Sequence, residues 1–187
     1  MKSFLEALNH PAEAFRKKNR VVSWTLVLCT IAVNAVVDPL LQYFWGVGTR
    51  ELDSLMMLSV AGLGALSYLT ICMAFWIVCK CFGSKTAIID HIGAWGISYF
   101  PTLLCSVLVA LAEVFFFVFW SNSVWGIVLS FAFVGIFLWK SILYYVYLRE
   151  FAGLRGIRLF GAFAIIGIII ILLAWMNMSV GLKTPVL

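Results

Sequence analysis

The run AFAIIGIIIILLAW, inside the segment Leu159 to Met178, carries no charged side chain, and four more apolar segments of similar length precede it: Val21 to Phe44, Ser54 to Cys79, Ala94 to Trp120 and Val124 to Leu148. A helix needs about 20 predominantly apolar residues to cross a hydrocarbon core roughly 30 Å thick. All five segments meet that length. Open strands would leave backbone groups unpaired in lipid, and the alternating pattern of a barrel is absent, so the spans are helices. Charged residues are only 11% of the chain, too few to clothe a water-soluble globule. The sequence therefore predicts an all-α, polytopic membrane protein: a cytoplasmic lead-in over residues 1–20, then one bundle of five transmembrane helices over 21–187.

The basic residues orient this bundle. With the N-terminus inside, the cytoplasmic segments carry Lys2, Arg16, Lys17, Lys18 and Arg20, then Lys80 and Lys85, then Arg149, Arg155 and Arg158. The outer segments carry only Arg50 and Lys183. The positive-inside rule thus predicts a cytoplasmic N-terminus and an external C-terminus. The first twenty residues are too charged for a secretory signal, and no small-residue cleavage site follows, so the first span is expected to stay as an anchor. The net charge of +5 flanks membrane spans, where anionic headgroups attract it, and points away from nucleic acid.

Phe4, Leu8 and Phe15 fall close to one helical face of the lead-in, which predicts an amphipathic helix lying in the cytoplasmic interface. It serves either as a membrane-sensing or partner-docking helix or as a lead-in that sets the depth of the first span. Cys79 and Cys81 stand at the cytoplasmic edge, where they are inert thiols or palmitate acceptors. His10 and His91 lie far apart and lack metal-ligand spacing, so no metal and no other cofactor is implied. Both histidines also fall outside the spans, as an intramembrane serine–histidine protease would not allow, and no glycine-rich phosphate loop leads to a lysine. The sequence reads as non-enzymatic.

Polar residues inside the spans form a seam. Ser23, Thr30, Asn34 and Asp38 share one face of the first span, Ser98, Thr102, Cys105, Ser106 and Glu113 one face of the third, and Ser130, Ser141 and neighbouring Lys140 one side of the fourth. Each charge would cost about 2.5 to 3.5 kcal/mol at a lipid-facing helix centre, so all three should face protein or water. Asp38 and Glu113 sit about 9 Å outward of the middle of their spans and Lys140 about 6 Å inward, which argues against a direct ion pair with the lysine. Carboxylates at equal height can share a proton. The seam is either interhelical glue, helped by Gly62, Gly64, Gly126, Gly135, Gly161 and Gly167, or the lining of a hydrated cavity.

The stretch FGSKTAIIDHIGAWGISYFP, residues 82–101, joins the second and third spans. Ser84 is positioned to cap a short interfacial helix through Ile88, Ile89 and Ile92. Gly93 and Gly96 then turn the chain into the bilayer, and Pro101 is expected to kink the third helix near its start.

This arrangement resembles the Yip family of small membrane proteins. The likeness rests on the short lead-in, the five spans, the Gly83 loop with Gly96 and Pro101, and WKSILYYVYLREFAGLRGIRLFGAF, in which Trp139 and the segment from Leu148 to Leu159 look like the family's tryptophan and short loop. The resemblance implies a membrane-organising role without a settled biochemical activity. Eukaryotic members act in vesicle traffic and membrane shaping at the Golgi and endoplasmic reticulum, with Rab GTPases bound through a long N-terminal region. A lead-in of about twenty residues fits a prokaryotic member of the plasma membrane better.

Two functions stay open. One is a scaffold that organises membrane lipids, a membrane-protein partner or a second copy through Lys80, Lys85, Arg149, Arg155 and Arg158. The other is a small transporter, channel or lipid-translocating protein that uses Asn34, Asp38, Ser98, Thr102, Glu113 and Lys140.

Overall fold

A computed structural model describes residues 9–46, 53–116, 119 and 121–179 of the chain. Among these residues every regular element is helical. A short helix α1, Pro11–Lys17, precedes α2, Arg20–Ala32, which passes through a π-helical turn, Val33–Val37, into α3, Asp38–Phe44. The second span is α4, Ser54–Cys81. Helix α5, Ile88–Ala94, continues through a tight 3₁₀ turn, Trp95–Ser98, into α6, Tyr99–Val114. Helix α7, Ser123–Val146, runs into a second π-helical turn, Tyr147–Phe151, and α8, Ile157–Ser179, closes the bundle.

Five continuous helical stretches are long and apolar enough to cross a membrane: Arg20–Phe44, Ser54–Cys81, Ile88–Val114, Ser123–Phe151 and Ile157–Asn177. The third forms the centre, with 56% of its most apolar window buried against 22% for the fourth and fifth. It packs on the first and fourth spans, while the second packs on the fifth. Exposed Leu, Ile, Phe and Trp side chains cover the outside, as a lipid-facing surface requires.

The third helical stretch begins at Ile88: the short helix expected through Ile88, Ile89 and Ile92 runs on without a break into the segment expected from Ala94, and its Asp90 and His91 both find partners inside the protein. Its start also differs from expectation in one detail. Ala87, not Ser84, is the N-cap of α5, and the Ser84 hydroxyl instead donates to the Ala152 carbonyl at 2.9 Å. Pro101 lies in the first turn of α6, where a helix N–H has no intrahelical partner, so the proline is accommodated by the preceding 3₁₀ turn.

Gly83 ends α4 with φ of 89°, its N–H donating to the Lys80 carbonyl at 3.0 Å and that of Ser84 to Cys79 at 2.9 Å. This paired 5→2 and 6→1 closure needs a left-handed residue, which glycine supplies without strain. Gly96 answers a different demand: a Cβ there would collide with the backbone carbonyl and hydroxyl of Ser23. The first and third spans touch backbone to side-chain-free backbone at this point. Of the six glycines expected to bring helices together, Gly161 would crowd the Phe82 ring at 2.8 Å, whereas a Cβ on Gly62, Gly135 or Gly167 would meet nothing within 4 Å.

The lead-in also departs from a helix laid on lipid. Phe4 and Leu8 lie outside the described residues, and Phe15 is fully buried against Tyr147, with ring centroids 5.3 Å apart. Arg16 pairs with Glu150 and Lys18 with Asp90 at 2.7 Å. Asn19 then caps α2 by accepting from the Val22 N–H at 3.3 Å. Helix α1 is thus bolted to the start of the third span and the end of the fourth. Cys79 is buried in the same region and Cys81 is exposed.

Candidate functional site

The seam divides into two knots along the first, third and fourth spans. Near the ends of α3 and α6, the Gln42 side-chain amide donates to Asp38 Oδ1 at 2.9 Å and to Glu113 Oε2 at 2.9 Å. An amide nitrogen has two protons, and each here serves one carboxylate. Asp38 is buried and Glu113 is half-buried. One turn back, Asn34 Nδ2 donates to the Thr30 carbonyl at 2.8 Å and to Ser106 Oγ at 3.1 Å. Gln42 escaped the sequence reading, although it lies one helical turn beyond Asp38 on the same face.

The second knot surrounds Lys140, which is fully buried. Its ammonium donates to Thr102 Oγ1 and sits 5.2 Å from the Tyr99 ring centroid and 5.9 Å from that of Tyr144. A cation over aromatic faces recovers part of what it loses in leaving water. Ser98, though buried, turns its hydroxyl onto the Trp95 carbonyl at 2.8 Å and so closes a local turn. Trp139 is half-buried and meets Phe100 edge-on, 5.3 Å between centroids, anchoring the fourth span to the third.

A third arrangement lies at the end of the bundle that carries α1. Lys80, Lys85, Arg149, Arg155 and Arg158 are all exposed there. Beneath them, His91 is fully buried, with Nε2 2.7 Å from Thr86 Oγ1 and Nδ1 2.6 Å from the Tyr147 hydroxyl. Thr86 Oγ1 is 2.9 Å from Ser84 Oγ. Since a carbonyl can only accept, the Ser84 proton goes to Ala152, and with the fully buried imidazole neutral, its charge being costly away from water, the other protons in the chain follow. Thr86 donates to Ser84, His91 Nε2–H donates to Thr86, and the Tyr147 hydroxyl donates to Nδ1. The imidazole is neutral in this arrangement and one tautomer is selected. Sequence reasoning placed His91 outside the spans and gave it no role. The signal that would have found it is the aromatic face of the fourth span, where Tyr144, Tyr147 and Phe151 recur at helical spacing.

These features define an α-helical, polytopic integral membrane protein whose intramembrane polar groups tie three spans together beneath a basic surface. The model of the Yip1 domain matches residues 5–177, nearly the whole chain, and the protein belongs to the Yip1 domain family. That family is in general one of non-enzymatic membrane proteins. No curated protein and no solved structure gives a significant match.

Proposed function

We propose that this protein is a non-enzymatic scaffold of a prokaryotic plasma membrane, with its N-terminus in the cytoplasm and its C-terminus outside, organising anionic lipids or a membrane-protein partner at its basic end. The observation that carries this reading is the construction of that end. Phe15, the Arg16–Glu150 pair and the Lys18–Asp90 pair lock three segments together, while Lys80, Lys85, Arg149, Arg155 and Arg158 project from them. A rigid array of cations beside apolar spans attracts anionic headgroups, each basic residue near the surface contributing about 1 kcal/mol. The packing of the seam supports the same reading, since Lys140, Thr102 and Ser98 are buried against protein. Crosslinking in cells, followed by identification of captured lipids and proteins, tests it: the wild type should enrich a defined set that the Arg149→Gln, Arg155→Gln, Arg158→Gln triple variant loses.

Transport through the seam is the second reading, favoured by the half-buried Glu113 and its amide link to Asp38 beside a π-helical turn, an irregularity frequent at functional sites. Reconstituted Asp38→Asn, Glu113→Gln and Lys140→Met variants decide this. Flux of protons, ions or labelled lipid that these variants abolish selects transport, and a wild type without flux removes it.

A further inference from the structure

At the basic end, the loop after Gly83 and the turn at Ala152 and Gly153 face each other across an open cleft of about 490 Å³. Ser84 and Thr86, the outer members of the hydrogen-bonded chain that reaches His91, line it. Ser84 Oγ gives its proton to Ala152 and accepts from both the Thr86 hydroxyl and the Thr86 N–H, so its capacity is filled from within. The Ser84 hydroxyl therefore offers the cleft no free acceptor. Lys85 and Lys18 both line the cleft, and Arg158 stands at its rim, its guanidinium 3.5 Å from where a Cβ on Gly83 would be.

Two backbone donors add to these cations. Among the described residues, the N–H groups of Lys85 and Gly153 have no hydrogen-bond acceptor, and they belong to opposite walls. Gly153 lines the cleft with φ of 72°, and a Cβ at that position would meet nothing within 4 Å. The one carboxylate lining the cleft, Asp90, is already neutralised, with Oδ2 2.7 Å from Lys18 and Oδ1 3.4 Å from Arg20. With Lys18 set against Asp90, the cleft gathers the Lys85 ammonium, the Arg158 guanidinium and two unspent amide donors around a volume of small-molecule size.

We infer that this cleft is a binding site for a phosphate group, carried by a phospholipid headgroup or by a small phosphate ester. A phosphate presents several strong acceptor oxygens in a tetrahedron, and charge-assisted hydrogen bonds to ammonium, guanidinium and backbone N–H groups are the interactions that recognise it. Exposed Ile89, next in sequence to the cleft residue Asp90, and exposed Ile157, next to Arg158, suit acyl chains descending from a headgroup. The inference rests on the proposed ligand-facing role of the basic end but demands more of it, namely one saturable site rather than a diffuse charged surface.

The full-length protein in phosphatidylcholine discs provides the test. In one arm the discs contain phosphatidic acid, and lipid retained per chain is counted by native mass spectrometry. In the other the discs are phosphatidylcholine alone, and radiolabelled inorganic phosphate or glycerol phosphate is added in equilibrium dialysis. Saturable binding in the first arm identifies a lipid headgroup, and in the second arm alone a soluble phosphate ester. In either case Lys85→Gln with Arg158→Gln should weaken binding about tenfold. Lys17→Gln, which removes one charge from an exposed residue paired with Glu13 at 3.0 Å, should change it less than about twofold. No saturable binding in either arm, or equal losses in the cleft and Lys17 variants, would overturn the site while leaving a diffuse lipid-organising surface intact.

Discussion

The Tyr147 hydroxyl donates to His91 Nδ1 at 2.6 Å, so the π-helical end of the fourth span is tied to the start of the third by a hydrogen bond buried from solvent and lipid. The same tyrosine ring holds Phe15 of α1 and stacks 4.7 Å from Phe151. One residue therefore joins three parts of the basic end.

Tyr147→Phe keeps the ring and removes the proton. His91 cannot answer by shifting tautomer, because its Nε2–H is committed to Thr86. The buried Nδ1 is left without a donor, at a cost of about 1 to 3 kcal/mol. Unfolding followed by circular dichroism in mild detergent should show that loss, and wild-type stability in the variant would refute the proton arrangement.

Gly96→Ala should destabilise the bundle by about 1 to 3 kcal/mol, the usual cost of forcing extra volume into a packed contact. Its Cβ has to displace the Ser23 backbone, which a helix cannot yield cheaply. Gly62→Ala and Gly135→Ala meet open space and should change stability by less than about 0.5 kcal/mol in the same assay. Equal effects at all three positions would contradict the close approach of the first and third spans.

The five long apolar helices were legible because length and apolarity leave a membrane chain few alternatives. The short helix before the third span was legible too, but not what Asp90 and His91 do in it, because Lys18 and Tyr147, distant in sequence, supply their partners. Periodicity likewise put Asn34, Asp38, Thr102, Glu113 and Lys140 on facing sides but could not show that Gln42 links the carboxylates or that Ser98 turns to its own backbone. Pairing across helices is a tertiary fact, and hydropathy carries no record of it.

Lys140→Met and Thr102→Val should differ in an informative direction. Removing the threonine hydroxyl strips an acceptor from a buried ammonium and should cost about 1 to 3 kcal/mol. Replacing the lysine removes the charge itself, and Thr102 can turn its hydroxyl to its own helix backbone, so the loss should be smaller, under about 1 kcal/mol. Detergent unfolding curves compare them, and the opposite order would show that the charge stabilises the seam outright.

The proposed orientation makes its own demand. A single cysteine at Lys85, in a chain whose native cysteines are replaced by serine or alanine, should resist a membrane-impermeant maleimide in intact cells and react after the membrane is opened. Labelling in intact cells would reverse the topology.

The scaffold reading stands or falls on what the basic end gathers. Polymer-bounded discs cut directly from membranes carry the lipids that surround the protein, and their anionic fraction can be measured for the wild type and for the Arg149→Gln, Arg155→Gln, Arg158→Gln variant at matched expression. With each basic residue contributing about 1 kcal/mol near the surface, the anionic fraction should fall at least about twofold in the variant. An unchanged fraction, with the fold intact, would contradict the account.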